Sequence, residues 1–116
     1  MFGIRLIASP IALSELRSIA EQQFGSLVKA VIDIEKKIMV IGGEMHADEE
    51  IYLLNEGSKQ ENLWGINIYP DQHHENRIEF DSMINIRPYM GNRSRGVENP
   101  EIQKIILAIV KQLITE

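Results

Sequence analysis

"LVKAVIDIEKKIMVIGG", residues Leu27 to Gly43, is the stretch that decides the architecture. Two runs rich in Val and Ile flank Glu35-Lys36-Lys37, which predicts two strands joined by a short turn even without the usual Asn-Gly or Asp-Gly. In the first run Val28, Ala30, Ile32 and Ile34 alternate with Lys29, Val31, Asp33 and Glu35. Side chains two apart share a face of a strand, so one face of the sheet is apolar and the other is mixed, either covered or partly open to a ligand or partner. So short a connection makes neighbouring strands antiparallel.

Working outward, the C-terminal segment is helical. Asn99 is placed as an N-cap, Pro100 as the first helical residue, and Glu101 as an acidic complement to the helix dipole. Ile102, Ile105, Ile106, Ile109, Val110 and Leu113 form its apolar face, widened by Leu107 and Ile114. A stripe that wide predicts packing on the sheet and on something else, a second helix or a second copy of the chain. On the N-terminal side, "SPIALSELRSIAEQQFG" predicts a helix capped by Ser9, opened by Pro10 and ended by Gly25. Leu13, Leu16, Ala20 and Phe24 would be its buried stripe.

"HADEEIYLLNEG" (46–57) fits a short helix or a strand, and its acidic start and Gly57 favour the helix. "NLWGINIY" and "RIEFDSMINIRP" alternate as strands on either side of the polar "PDQHHEN". In the second, Ile78, Phe80, Ser82, Ile84 and Ile86 would face one way, and Glu79, Asp81, Met83, Asn85 and Arg87 the other. The expectation is one α+β domain over residues 1–116. It has a four-stranded, mainly antiparallel sheet, N- and C-terminal helices packed over one face, and a short central helix.

Composition narrows the classes of function. The chain has 116 residues, 44% hydrophobic and 25% charged, the balance of a globular domain rather than a disordered or membrane-spanning one. It has no cysteine, which removes disulfides, thiolate nucleophiles and thiolate metal ligands together. "MFGIRLIASPIAL" lacks the basic start and continuous apolar run of a secretory leader, so a cytoplasmic location without membrane is expected. A net charge of -5 argues against broad, nonspecific binding to nucleic acid.

Against that acidic background, "IRPYMGNRSRGVENPEI" sets Arg87, Arg93 and Arg95 close together. Gly91, Asn92, Ser94 and Gly96 suit a tight loop just before a helix start, where guanidinium forks and free backbone N–H groups make an anion site. Phosphate, a nucleotide or the backbone of RNA would fit the 91–96 loop. The plainer alternative is that Arg93 and Arg95 pair with acids such as Glu98 or stay solvated. Asn85 and Arg87, with Asp81 and Asn67 beside them, form a buried polar network if their face is covered and a ligand-binding row if it is open. The expected ligand-binding residues are therefore Asn85, Arg87, Asn92, Arg93 and Arg95.

"GGEMHADEE" is the weaker candidate. In an extended chain Glu44, His46 and Asp48 share a face and offer ligands to a divalent metal; in a helix that spacing fails, so no metal is expected there. His73-His74 sit in a solvated loop. Ser58, Ser82 and Ser94 match no nucleophile pattern, and Trp64 and Tyr69 are better explained as packing than as base-stacking rings. No catalytic residue can be assigned.

Taken together, "VKAVIDIEKKIMVIGGEMHADEE", "GSKQENLWGINIYP", "IEFDSMINIRP" and "GNRSRGVENPEI" resemble a family of small prokaryotic proteins catalogued as a domain of unknown function, over nearly the whole chain. The resemblance implies a standalone cytosolic domain in a bacterium or archaeon and brings no activity or cofactor. The residues themselves favour a binding or regulatory module for an anionic or polar partner. The alternatives are a metal-dependent hydrolase of phosphate esters using Glu44, His46 or Asp81, and a structural homodimer through the C-terminal helix.

Overall fold

The computed structural model describes residues 3–116. In chain order they form β1 (Arg5–Ile7), β2 (Ile11–Ala12), α1 (Leu13–Gln22), β3 (Val28–Asp33), β4 (Ile38–Ile41), α2 (His46–Asn55), β5 (Leu63–Ile68), β6 (Ile78–Glu79), α3 (Pro100–Leu113) and β7 (Ile114–Thr115). The fold is α+β, with a five-stranded antiparallel sheet in the order β1-β4-β3-β5-β6. The fifth strand is β1, a three-residue edge strand paired with β4 and too short to show a pattern in sequence.

The hairpin forms as its alternation predicts, with Val31 opposite Val40 and Asp33 opposite Ile38. Its turn is built by a side chain instead of Asn-Gly. Asp33 Oδ1 accepts from the N–H groups of Glu35 and Lys36, each at 2.9 Å, and Lys37 takes the left-handed conformation at φ 58°. The other carboxylate oxygen accepts from the Ser58 hydroxyl at 2.6 Å, so this buried acid has partners on both oxygens.

Helices lie on both faces of the sheet, not on one as expected. α1 and α3 cover the side presented by Val28, Ala30, Ile32, Trp64, Ile66 and Ile68. α2 covers the other side, where Val31, Val40 and Leu63 pack with Leu53. The mixed face is apolar enough at its centre to require a cover, and beyond α2 a cleft remains at its Lys29–Asn67 end.

The first helix starts later than its capping signals suggest. Ile11 and Ala12 pair in parallel with Ile114 and Thr115, so the backbone there stays extended and α1 begins at Leu13 with no side-chain cap. Ser9 and Pro10 precede that strand. Leu13, Leu16, Ile19 and Ala20 are buried, whereas Phe24 lies beyond the helix, 42% exposed. α3 follows its signals: Asn99 Oδ1 accepts from the Glu101 N–H at 2.9 Å and Pro100 opens the helix. Among the described residues no helix is long and apolar enough to cross a membrane.

The largest departure lies in residues 77–88. Only Ile78 and Glu79 pair with β5, and the chain then folds down across it in a 3-10 turn at Met83–Asn85. Ser82, Asn85 and Arg87 are buried while Met83 and Ile86 are exposed, so the strand-like alternation is broken. A bare backbone at Gly65 lets the chain come this close: a Cβ there would stand 2.5 Å from Ser82 Oγ and 2.6 Å from Ser82 Cβ.

That contact makes a direct test. Gly65→Ala should lower the unfolding free energy by about 1–3 kcal/mol in urea titration, the usual range for overpacking. Gly3→Ala, whose added carbon meets nothing within 4 Å, should leave it unchanged.

Candidate functional site

β6 is two residues long, so the edge of β5 beyond Asn67 needs other partners. Asn85 supplies the first. Its Oδ1 accepts from the Gly65 N–H at 2.8 Å and its Nδ2 donates to the Gly65 carbonyl at 3.0 Å. A primary amide offers the same donor and acceptor as a peptide, so it continues the ladder in place of a strand. Arg87 supplies the second. Its guanidinium donates to the carbonyls of Leu63, Gln60 (2.6 Å) and Ile84 (3.1 Å), and lies over the Trp64 ring at 4.5 Å from the centroid. Arg87 is 3% exposed and Trp64 1% exposed, which removes both from the surface.

The loop after Arg87 hangs from these groups. Asn85 Nδ2 also donates to the Arg95 carbonyl at 2.9 Å. Asn92 Nδ2 reaches the carbonyls of Asn85 (2.7 Å) and Gly96 (2.8 Å), and its Oδ1 accepts from the Glu98 N–H at 2.8 Å. The N–H groups of Arg93 and Ser94 both point at Glu98 Oε2, each at 2.8 Å. The chain's own carboxylate thus occupies the backbone nest that an external anion would use. Its bond to the Ser94 side chain, with the two backbone N–H groups, holds Glu98 below the usual carboxylate range.

Of the residues expected to bind a ligand, Asn85, Arg87 and Asn92 are therefore buried and engaged with backbone. The Arg93 side chain is exposed and does not line the cleft that Arg95 lines. Arg95 alone turns towards a concavity, its Nε 2.5 Å from Asp81 Oδ1.

That concavity is a cleft of about 160 Å³ at the open end of the second sheet face. Lys29 from β3, Asn67 from β5, His46 and Ala47 from the start of α2, Asp81 and Arg95 line it. Lys29 stands over the exposed Phe24 ring at 5.1 Å, and among the described residues no carboxylate lies within ion-pair distance of its ammonium. α2 has no side-chain cap, and the backbone N–H groups of His46 and Ala47 make no hydrogen bond among the described residues. Two cations, one carboxylate and the positive end of a helix converge here, giving a locally positive site in an acidic chain.

His46 is the least ordinary member. Its Nε2 lies 2.7 Å from the Ile66 carbonyl. A carbonyl only accepts, so this network assigns the proton to Nε2 and the lone pair to Nδ1. Burial lowers its pKa below 6.5, the nearby Lys29 charge acts in the same direction, and the Ile66 bond and Asp81 oppose it. The ring is neutral at neutral pH.

The weaker metal residues do not converge. Because α2 begins at His46, Glu44 and Asp48 line a different hollow beside Gly42 and Gly43. Among the described residues no three His, Cys, Asp or Glu side chains are placed to hold a metal. A larger hollow of about 470 Å³ lies between β6 and α3, walled by Ile78, Leu107, Val110 and Ile114. Three of its rim groups pair, Glu116 with His74 at 2.9 Å and with Arg77 at 3.6 Å, while Glu75 and Lys111 also line it. Size favours that hollow, but two cations converging on an open helix N-terminus and a neutral, half-engaged histidine favour the smaller cleft.

Two participants escaped the sequence reading. Lys29 belongs to an alternating strand, and nothing local shows that α2 stops short of it. Glu49, in the first turn of α2, is fully buried. Its Oε2 accepts from the Gly43 N–H at 2.9 Å and its Oε1 has no partner among the described residues. A Cβ on Gly43 would stand 2.7 Å from Glu49 Cγ, so the glycine makes room for the acid. Desolvation pushes the Glu49 carboxyl up to about 9, against the Gly43 bond and Lys29.

Residues 5–113 match the family described as protein of unknown function, DUF5674, and the chain belongs to it. No curated protein and no solved structure matches the chain.

Glu49 sets a pH dependence. Its folded pKa lies above its unfolded value, so the stability it contributes is complete below about 4.5 and is lost as pH rises towards about 9. Melting temperature measured across that window should fall for the native chain, and Glu49→Gln, which keeps the acceptor for Gly43 and never ionises, should flatten the slope.

Proposed function

We propose that this protein is a small binding module whose cleft at Lys29, His46 and Arg95 takes a small anion, a carboxylate or a phosphate. The convergence of the Lys29 and Arg95 side chains with the unengaged N-terminus of α2 carries this reading. Asn85, Arg87 and Asn92 serve it by shaping the segment that presents Arg95. A nucleic-acid backbone suits the site less well. It needs several phosphate contacts in a row, and here the Arg93–Ser94 amides already hold Glu98. A metal-dependent hydrolase would need a ligand set that the residues around His46 do not supply.

Amide NMR titration with inorganic phosphate and with acetate tests the reading. Lys29, His46, Ala47 and Arg95 should shift together, and Arg95→Gln should weaken binding about tenfold, the effect of one charge-assisted contact. Arg93→Gln should leave it unchanged. Silence in the cleft at millimolar anion would overturn the reading, and a response to short RNA confined to the Arg93 loop would replace it.

A second reading concerns α3, independently of the cleft. Ile105 is 41% exposed and Leu107 43% exposed on a helix that buries Ile106, Ile109, Val110 and Leu113, which favours a contact between two copies of the chain. Sedimentation should then show a dimer that Leu107→Lys dissociates, and a monomer at every concentration would remove this reading.

A further inference from the structure

The cleft contains an acceptor that no donor among the described residues reaches. His46 is 9% exposed, its Nε2–H is committed to the Ile66 carbonyl, and among the described residues no donor reaches Nδ1. The same wall holds a second one: Asn67, 8% exposed, donates through Nδ2 to Glu79 Oε1 at 2.9 Å, while its buried Oδ1 has no partner among the described residues. Around them stand the donors Lys29, Arg95 and the first N–H groups of α2.

A ligand made only of acceptor oxygens, such as acetate, satisfies those donors but sets lone pair against lone pair at His46. An ammonium would offer a donor but would bring a further positive charge beside Lys29 and Arg95, with Asp81 already held by Arg95. A hydroxyl next to the anionic group meets both demands without added charge. The cleft volume of about 160 Å³ sets the scale. At about 30 Å³ for each water it holds roughly five, which suits a carboxylic acid of a few carbons.

We propose that the ligand is a small 2-hydroxycarboxylate, its carboxylate held by Lys29, Arg95 and the N-terminus of α2, and its hydroxyl hydrogen donated to His46 Nδ1. This rests on the anion reading of the same cleft. Burial and Lys29, which keep the ring neutral against the Ile66 bond and Asp81, keep the lone pair available at neutral pH. A ligand that fills the cleft takes His46 Nδ1 out of water, and an acceptor then left unmatched is costly, so the hydroxyl should discriminate strongly between otherwise similar acids.

Calorimetry with matched pairs tests it: lactate against propionate, and glycolate against acetate, on the native chain near neutral pH. The hydroxy acid of each pair should bind at least about tenfold tighter, equivalent to about 1.4 kcal/mol. On His46→Phe, which keeps a flat ring but has no lone pair, lactate should fall to the affinity of propionate. Because that variant also loses the Ile66 bond, the native imidazole provides a second readout. Its Nδ1 nitrogen resonance should move on adding lactate and stay still on adding propionate. Equal binding of the two acids, or an unmoved Nδ1 signal with lactate bound, would overturn the hydroxyl assignment and leave anion binding standing. Binding of neither acid would overturn both.

Discussion

The structure depends on how the free edge of β5 is closed. Buried peptide groups cannot be left unpaired without a cost of about 1–3 kcal/mol each, and β6 pairs with only Asn67 and Ile68. The rest of that edge is closed by side chains: the Asn85 amide on Gly65 and the Arg87 guanidinium on Leu63. A continuous sixth strand would have closed the same edge with backbone, but it would also have carried residues 80–87 away from the cleft. Side-chain closure folds that segment back over Gly65 and brings Asp81 and Arg95 beside the start of α2.

This explains why three arginines so close in sequence have three different environments. Arg87 is structural, buried on Trp64 with carbonyls as its partners. A guanidinium suits that place because it carries several donors in a rigid plane and stacks on an aromatic face. Arg93 is exposed on a loop whose amides are already taken by Glu98. Arg95 is positioned by its own carbonyl, which accepts from Asn85 Nδ2 and from the Ser82 N–H, so its side chain emerges next to Asp81. The chemistry of the loop is decided by where its carbonyls are anchored, not by how many arginines it contains.

The cleft joins charge with neutrality. Lys29 and Arg95 place positive charge at one end of an otherwise acidic molecule, yet His46 and Glu49, both on the first turn of α2, are held uncharged by burial. A neutral imidazole with an open nitrogen is a hydrogen-bond acceptor, so the cleft presents an acceptor beside its cations. Glu49 lies behind the same helical turn and couples its packing to a single proton, so the end of α2 that forms the cleft wall is also sensitive to high pH.

Local patterns were legible wherever neighbours in sequence decide the outcome. The alternation of Val28–Asp33 around a polar turn gave the hairpin. Asn99 and Pro100 gave the start of α3, and the acidic turn and Gly57 gave α2. Patterns misled where a distant partner decided. Ser9-Pro10 has the chemistry of a helix start, but Ile11 and Ala12 stay extended to pair with β7 at the other end of the chain. Residues 77–88 alternate as well as any strand, but Gly65 on β5 lets Ser82 and Asn85 dock from below. The membership of the site had the same limit. Lys29, His46, Asn67, Asp81 and Arg95 come from five separate segments, and the arginine cluster announced one of them. The sequence by itself therefore determined the hairpin, the three helices, the antiparallel class and the presence of an arginine loop, because hydrophobic period and capping act over a few residues. Only the tertiary structure decided which arginine is free, which sheet face is covered and which histidine nitrogen is open, because burial and hydrogen-bond partners are set by residues tens of positions away.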